Sequence, residues 1–279
     1  MNQQYSEAIE TAKSYYDSTD ADNFYHTIWG GEDIHVGLYQ SDEEPIFDAS
    51  RRTVEYVANK LKTLSKDSKV IDVGAGFGGA ARYLAKAYGC EVVALNLSEA
   101  ENERDREKNK EQGLDKLITV VDGDFEQLPY DDNSFDIVWC QDSFLHSDNR
   151  GKVMEEIARV LKSGGEFIFT DPMQADDADT SKLQPVYDRL DLPNMGSPGF
   201  YRQKLKELGF EELEFEELTH QLANHYQRVH DETVKHYDAL KANNVSDEYI
   251  EKMKQGLQHW VKNGREGNLS WGIFHFKKK

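Results

Sequence analysis

The chain has 279 residues, 38% of them hydrophobic, including 13 Phe, 14 Tyr and 4 Trp; that is enough apolar mass for a real core and excludes global disorder. Against 33 basic side chains stand 52 acidic ones, a formal net charge of −19. Such a surface repels phosphate backbones and anionic lipid, which argues against nucleic acid and membranes as partners, and it suits a salt-rich cytosol or an acidic cytosolic enzyme. The N-terminal stretch MNQQYSEAIETAKSYYDS has neither the basic nor the apolar region of a signal peptide. No run approaches the apolar length of a membrane span, and Cys90 and Cys140 match no metal or redox spacing. The expectation is a soluble cytoplasmic protein without disulfides.

Residues 1–50 are rich in aromatics and precede the first strand-like run. From there the pattern alternates. VIDVGAG is followed by the helical GAARYLAKAYG, and EVVALNLS by a charged helix over Glu99–Gln112. ITVVDGDF and FDIVWCQD read as a third and fourth strand, and GEFIFTDP as a fifth after the helix RGKVMEEIARVLKSG. EELEFEEL suggests a sixth and LSWGIFHF a seventh. Strand and helix in alternation predict a parallel α/β sheet. Residues 51–171 would form its nucleotide-like core, 172–210 a cap segment and helix, and 211–279 the last two strands. The mostly helical insertion at 219–268, with 1–50 and 172–200, would cap the carboxyl ends of the strands, where ligands of open α/β sheets bind.

The glycine turn Gly74-Ala75-Gly76-Phe77-Gly78-Gly79 does not by itself say what it holds, because such turns serve dinucleotides, phosphates and other nucleotide-like ligands. A dinucleotide fold would place an acid about 20 residues on to hold the ribose. The residue 20 past Gly76 is Asn96. The stretch DGDFEQLPYDDNSFDIVWCQDSFLHS at 122–147 decides the matter, because it resembles the class I S-adenosylmethionine-dependent methyltransferases. That resemblance implies a Rossmann-like seven-stranded sheet with an antiparallel C-terminal strand. It implies that Asp124 bonds the adenine amino group with Phe125 against the ring, that the turn at Asp72, Gly74, Ala75 and Gly76 admits the methionine half, and that Gln141 contacts its amino-acid end. Asn96 and Leu97, with Tyr25, Ile34 and His35 of the N-terminal segment, complete the cofactor set so implied. S-adenosyl-L-methionine is the expected cofactor.

Three further stretches, NFYHTIWGGEDIHVGLY (23–39), DPMQADDADTSKLQPVYDRLDLPNMGSPGFYRQKLKELGF (171–210) and GLQHWVKNGREGNLSWGIFHF (256–276), resemble the sarcosine/dimethylglycine N-methyltransferases. The acceptor implied is a small amino acid and the product the osmoprotectant glycine betaine. The phosphoethanolamine methyltransferases are more distant relatives, sharing the pattern Asp142 to His146. Transfer to an amine is an in-line displacement that needs alignment and a free lone pair. His146 is therefore the candidate proton acceptor and Asp142 its partner, on one face if a helix starts there. A quaternary ammonium suits aromatic walls, for which Tyr16, Tyr25, Trp29, Tyr201, Tyr226 and Trp271 are candidates. The acceptor carboxylate suits an arginine, Arg189 or Arg202. His225, His230 and His236 match no zinc spacing, and no metal is expected. A phosphoethanolamine, quinone or sterol acceptor, or a non-enzymatic cofactor-binding module, are the alternatives.

Overall fold

In a computed structural model, residues 7–190 and 192–279 are described. The first six residues of the aromatic-rich N-terminal segment, and Asp191 of the cap segment, lie outside them. Helices α1 (Glu7–Tyr16), α2 (Thr19–Trp29) and α3 (Ile46–Lys60) precede strand β1 (Lys69–Val73). Then come α4 (Gly79–Tyr88), β2 (Glu91–Asn96), α5 (Glu99–Glu111), β3 (Ile118–Asp122) and β4 (Phe135–Gln141). A short 3-10 turn at Phe144–His146 leads to α6 (Arg150–Val160) and β5 (Leu161–Thr170). After β6 (Met173–Gln174), α7 (Thr180–Leu190) and α8 (Pro198–Glu207), the chain returns to the sheet as β7 (Phe210–Glu217). Helices α9 (Thr219–Lys235), α10 (Tyr237–Ala242) and α11 (Asp247–Arg265) intervene before β8 (Leu269–Ser270) and β9 (Gly272–Lys278).

The seven-stranded sheet runs β3-β2-β1-β4-β5-β9-β7. β1 to β5 pair in parallel, and β9 slots antiparallel between β5 and β7. The strand order reverses between β1 and β4, which opens a crevice at their carboxyl ends. The central strands are apolar on both faces because helices cover both. One core packs Val73, Val138 and Phe169 against Met154 and Ile157 of α6. The other packs Val70, Ile137 and Trp139 against Val57 of α3 and Leu84 of α4.

Helix α5, EAENERDREKNKE, has almost no apolar stripe, and its buried face is polar instead. Arg82 of α4 donates to Asp105 at 2.6 Å, and Asn102 donates to the Asn96 carbonyl at 3.0 Å. Paired and hydrogen-bonded in this way, the buried charges are tolerated. Gly78, at φ +73°, makes the approach possible, since a Cβ there would stand 2.0 Å from the Asp105 carboxylate.

The cap has its own apolar clusters. Val36, Leu145, Val186, Leu222, Trp260 and Trp271 form one, and Phe24, Trp29, Val229, Met253 and Leu257 form another. α9 and α11 pack along each other, and α7 lies against α11. Among the described residues no helix is long and apolar enough to cross a membrane.

Candidate active site

β1 ends at Val73, and Gly74 turns the chain at φ +81°, a region that favours glycine. The Gly74 and Ala75 amides donate to the Leu95 carbonyl at 2.8 and 3.1 Å, pinning the loop to the end of β2. Ser143 closes it from the β4 side by donating to the Gly74 carbonyl at 3.1 Å. A Cβ on Gly74 would stand 2.3 Å from that Ser143 hydroxyl.

The loop floors a cleft lined by Asp72, Gly74, Ala75, Gly76, Asn96, Leu97, Asp124, Phe125 and Gln141, with Ile34 and His35 of the N-terminal segment opposite. Asp124 is fixed, its Oδ1 accepting from the Glu126 and Gln127 amides at 2.7 and 2.9 Å. Setting aside Asp33, whose carboxylate is ion-paired with Arg51, three buried atoms of cleft-lining residues have no hydrogen-bond partner among the described residues: Asp72 Oδ2, His35 Nε2 and Gln141 Nε2. The His35 Nδ1 sits 3.2 Å from the Val36 carbonyl, and burial lowers the ring's pKa, so Nδ1–H donates there and Nε2 is left an acceptor. Buried polar atoms normally find partners. Two unmet acceptors and an unmet donor are the complement of an ammonium and a carboxylate, and the cleft therefore fits the amino-acid end of S-adenosylmethionine.

Beside Asn96, where the resemblance leads one to expect the ribose contact, stands a residue that the sequence reading missed. Asn96 donates to Glu101 Oε2 at 2.8 Å, and Glu101 is buried and lines the same cleft. The carboxylate absent from position 96 is thus supplied from the first turn of α5. Its signal, Ser98 followed three residues on by a glutamate, reads as a capping box; Ser98 does cap, accepting from the Glu101 amide at 3.2 Å. Burial, opposed by the Asn96 hydrogen bond, raises the Glu101 pKa to about 7. Its ionised form is the better acceptor for ribose hydroxyls, so affinity for S-adenosylhomocysteine is expected to fall as pH drops below neutrality. In Glu101→Gln calorimetry should show that dependence flattened; an unchanged pH slope would place the titration elsewhere.

A second chamber lies behind the cleft. Tyr16, Ile34, His35, Asp142 and His146 line both, so they form the wall between them. Asp142 does not begin a helix. It is a single left-handed residue at φ +53° between β4 and the 3-10 turn that carries His146. Its Oδ2 accepts from the Val36 amide at 2.7 Å, and its Oδ1 from Thr170 at 2.7 Å and the Trp271 indole at 2.8 Å. Burial raises its pKa, and the facing His35 and these donors oppose the rise. His146 Nε2 lies 2.8 Å from the Tyr16 hydroxyl. Burial, with Arg189 and Arg150 nearby, lowers the His146 pKa to about 4, and burial raises that of Tyr16 well above its usual value. Both groups are therefore neutral near pH 7.

Tyr16 reaches the wall because α1 is fastened across the cleft mouth. Asp17 accepts from Ser98 Oγ at 2.8 Å, and Lys13 pairs with Glu99 at 3.0 Å. Beyond the wall, Tyr25, Trp29, Tyr226, Met253 and Trp260 surround Arg189. Tyr25 thus belongs to this chamber rather than to the cofactor cleft. Arg189 forms no ion pair among the described residues; its one hydrogen bond is to Met253 Sδ at 3.4 Å.

The remaining candidates are placed elsewhere. Arg202 is exposed, pairs with Glu212 at 2.9 Å and lies over the Phe215 ring. Tyr201 is fully buried in the sheet core, its hydroxyl donating to Asp171 at 2.7 Å. Trp271 is also fully buried and touches Asp142, not the chamber. Of the histidines, His225 lines the chamber from the cap side, the Tyr39 hydroxyl lying 2.9 Å from its Nδ1, whereas His230 and His236 pair with neighbouring acids on the outer face.

A reversed-order parallel sheet with an inserted antiparallel strand, a glycine loop at its switch point and a cleft shaped for an amino acid joined to a nucleoside define a class I S-adenosylmethionine-dependent methyltransferase. Residues 71–169 match the family described as "Methyltransferase domain". A sarcosine/dimethylglycine N-methyltransferase of Halorhodospira halochloris is 62% identical over 98% of this chain and 97% of its own. Another with that name from Aphanothece halophytica is 54% identical over 96% of each. A crystal structure from Galdieria sulphuraria, provisionally described as a sarcosine dimethylglycine methyltransferase, superposes with a TM-score of 0.90 at 43% identity, covering 95% of this chain and 99% of that one. The chain belongs to the sarcosine/dimethylglycine N-methyltransferase family.

Proposed function

We propose that the protein methylates the amine nitrogen of sarcosine and N,N-dimethylglycine, ending in glycine betaine, with Asp142, His146 and Tyr16 at the reacting wall and Arg189 holding the acceptor carboxylate. The observation that carries this reading is the chamber itself. It shares a wall with the cofactor cleft and presents a guanidinium that has no carboxylate partner among the described residues, ringed by aromatics. That is the complement of a small molecule with a carboxylate at one end and an alkylated amine at the other. Among the described residues Arg189 is the only Lys or Arg lining the chamber. A phosphate monoester, with its greater charge, would call for several converging cations.

S-adenosylmethionine, when bound, supplies an electrophilic methyl on a sulfonium sulfur. The chain's part is alignment and electrostatics. Among the described residues Asp142 is the one carboxylate common to both cavities, so it faces positive charge on either side of the transfer. Its three donors hold it in place, so it need not reorganise as that charge moves. Tyr16, Tyr25 and Trp29 offer π faces to the methylated nitrogen. The acceptor must be bound as a free amine. A histidine held near pKa 4 is too weak a base to take the proton of an alkylammonium at modest cost. The burial and the Arg189 charge that depress His146 act on an ammonium in the same chamber, so deprotonation accompanies binding. His146, paired with Tyr16, then orients the acceptor with a neutral hydrogen bond.

The test is S-adenosylhomocysteine release with glycine, sarcosine, dimethylglycine and phosphoethanolamine in parallel. Turnover is expected with sarcosine and dimethylglycine and little with phosphoethanolamine. With cofactor saturating, so that the Glu101 titration does not enter, kcat/KM for dimethylglycine should rise with pH toward the amine's own pKa, with no inflection between pH 5 and 7. Turnover confined to phosphoethanolamine, or a histidine-like inflection, would overturn the acceptor or the proton account respectively.

A further inference from the structure

α11 spans nineteen residues with Gly256 in its middle. Glycine inside a helix loses more backbone freedom than alanine and gives up stability, so its presence there calls for a packing reason. The neighbour that fills the space is Arg189. A Cβ at position 256 would stand 2.6 Å from Arg189 Cδ, 3.0 Å from Nε and 3.6 Å from Cζ. The other glycine of α11, Gly264, behaves differently, a Cβ there meeting Ala223 of α9 at 3.2 Å, a plain helix–helix contact. Gly256 alone on this helix makes room for the stem of a charged side chain.

The setting is specific. Met253, Gly256, Leu257 and Trp260 recur at i, i+3, i+4 and i+7 and so form one stripe of α11. Met253, Leu257 and Trp260 line the chamber together with Arg189. The Arg189 stem lies on the bare backbone at Gly256, and its Nη2 donates to Met253 Sδ at 3.4 Å. One stripe therefore fixes both the stem and the head of an arginine that carboxylates leave free.

We propose that Gly256 is a positioning residue for the acceptor: by letting the Arg189 stem lie against α11, it sets where the guanidinium meets the substrate carboxylate. This rests on Arg189 holding that carboxylate. A side chain at 256 must push the Arg189 Cδ off the helix and carry the guanidinium with it.

The experiment compares Gly256→Ala, Arg189→Met and the double variant, measuring kcat and KM for dimethylglycine and calorimetric affinity for S-adenosylhomocysteine. Alanine favours the helix, so α11 persists in Gly256→Ala. Because a displacement on the ångström scale is enough to spoil a positioned contact, KM is expected to rise about tenfold or more, with kcat within about threefold. Affinity for S-adenosylhomocysteine should not change. In the Arg189→Met background the same substitution should have no further effect, since no guanidinium remains to be displaced. If Gly256→Ala leaves KM unchanged while Arg189→Met raises it, the role of Gly256 is wrong and the carboxylate reading stands. Additive effects in the double variant would also overturn it, marking a general distortion of the chamber. If Arg189→Met itself leaves KM unchanged, the carboxylate reading falls first.

Discussion

Replacing Arg189 with methionine is expected to lower kcat/KM for dimethylglycine by about 10²–10³, mostly through KM, while affinity for S-adenosylhomocysteine stays within a few-fold. The size follows from the strength of the ion pair that the substitution removes. A bidentate, charge-assisted pair in a buried chamber is among the stronger polar interactions a protein makes, and removing one side leaves the substrate carboxylate buried without a partner. That penalty is about 3–4 kcal/mol, which converts to the stated range. The fold should tolerate the change, because among the described residues the guanidinium has no carboxylate partner to abandon and its one hydrogen bond is to a thioether. Methionine also keeps an unbranched stem to lie over Gly256. Steady-state kinetics beside calorimetry decides it: an unaltered KM would mean that the carboxylate is held elsewhere.

The second large effect is expected at Asp142→Asn. Asparagine has nearly the same shape and is among the residues that best accept the positive φ found there, so the backbone should hold. The electrostatics change. Where the carboxylate accepts from the Val36 amide, Thr170 and Trp271, an amide offers one oxygen and turns an NH₂ toward donors. The negative charge beside the migrating positive charge also disappears. Loss of a fixed group of this kind is worth about 10²–10³ in kcat. Cofactor affinity is expected to change far less, because the cleft's other contacts remain. A kcat within a few-fold of the parent, in single-turnover measurements with cofactor saturating, would remove Asp142 from the reacting wall.

Arg189 and Arg202 show where reading the sequence stops. They stand thirteen positions apart in one segment, each equally plausible as the carboxylate's partner. α7 packs on α11, which turns Arg189 inward, whereas α8 leaves Arg202 on the surface with Glu212. Nothing within either helix distinguishes them. Trp271 is similar: as an aromatic near the C-terminus it reads as a cage residue. β9 inserts antiparallel beside β5 and brings that indole to Asp142, a contact 129 positions apart in the chain. Glu101 is hidden for the opposite reason, because a local explanation as a capping residue already accounts for it.

The alternation of strands and helices, the glycine turn and the place of Asp124 in the cleft lining are legible because each is written in a contiguous window, where hydrophobic period and backbone conformation are set by near neighbours. The same holds for the family resemblance, which rests on ordered motifs. Which residues face one another across the chamber is settled only by packing. Tyr16, Asp142, Arg189 and Met253 come from an N-terminal helix, the end of a strand and two cap helices. Their meeting depends on how those elements cross, down to the missing side chain at Gly256, and crossing geometry is a property of surfaces in contact rather than of any one stretch of chain.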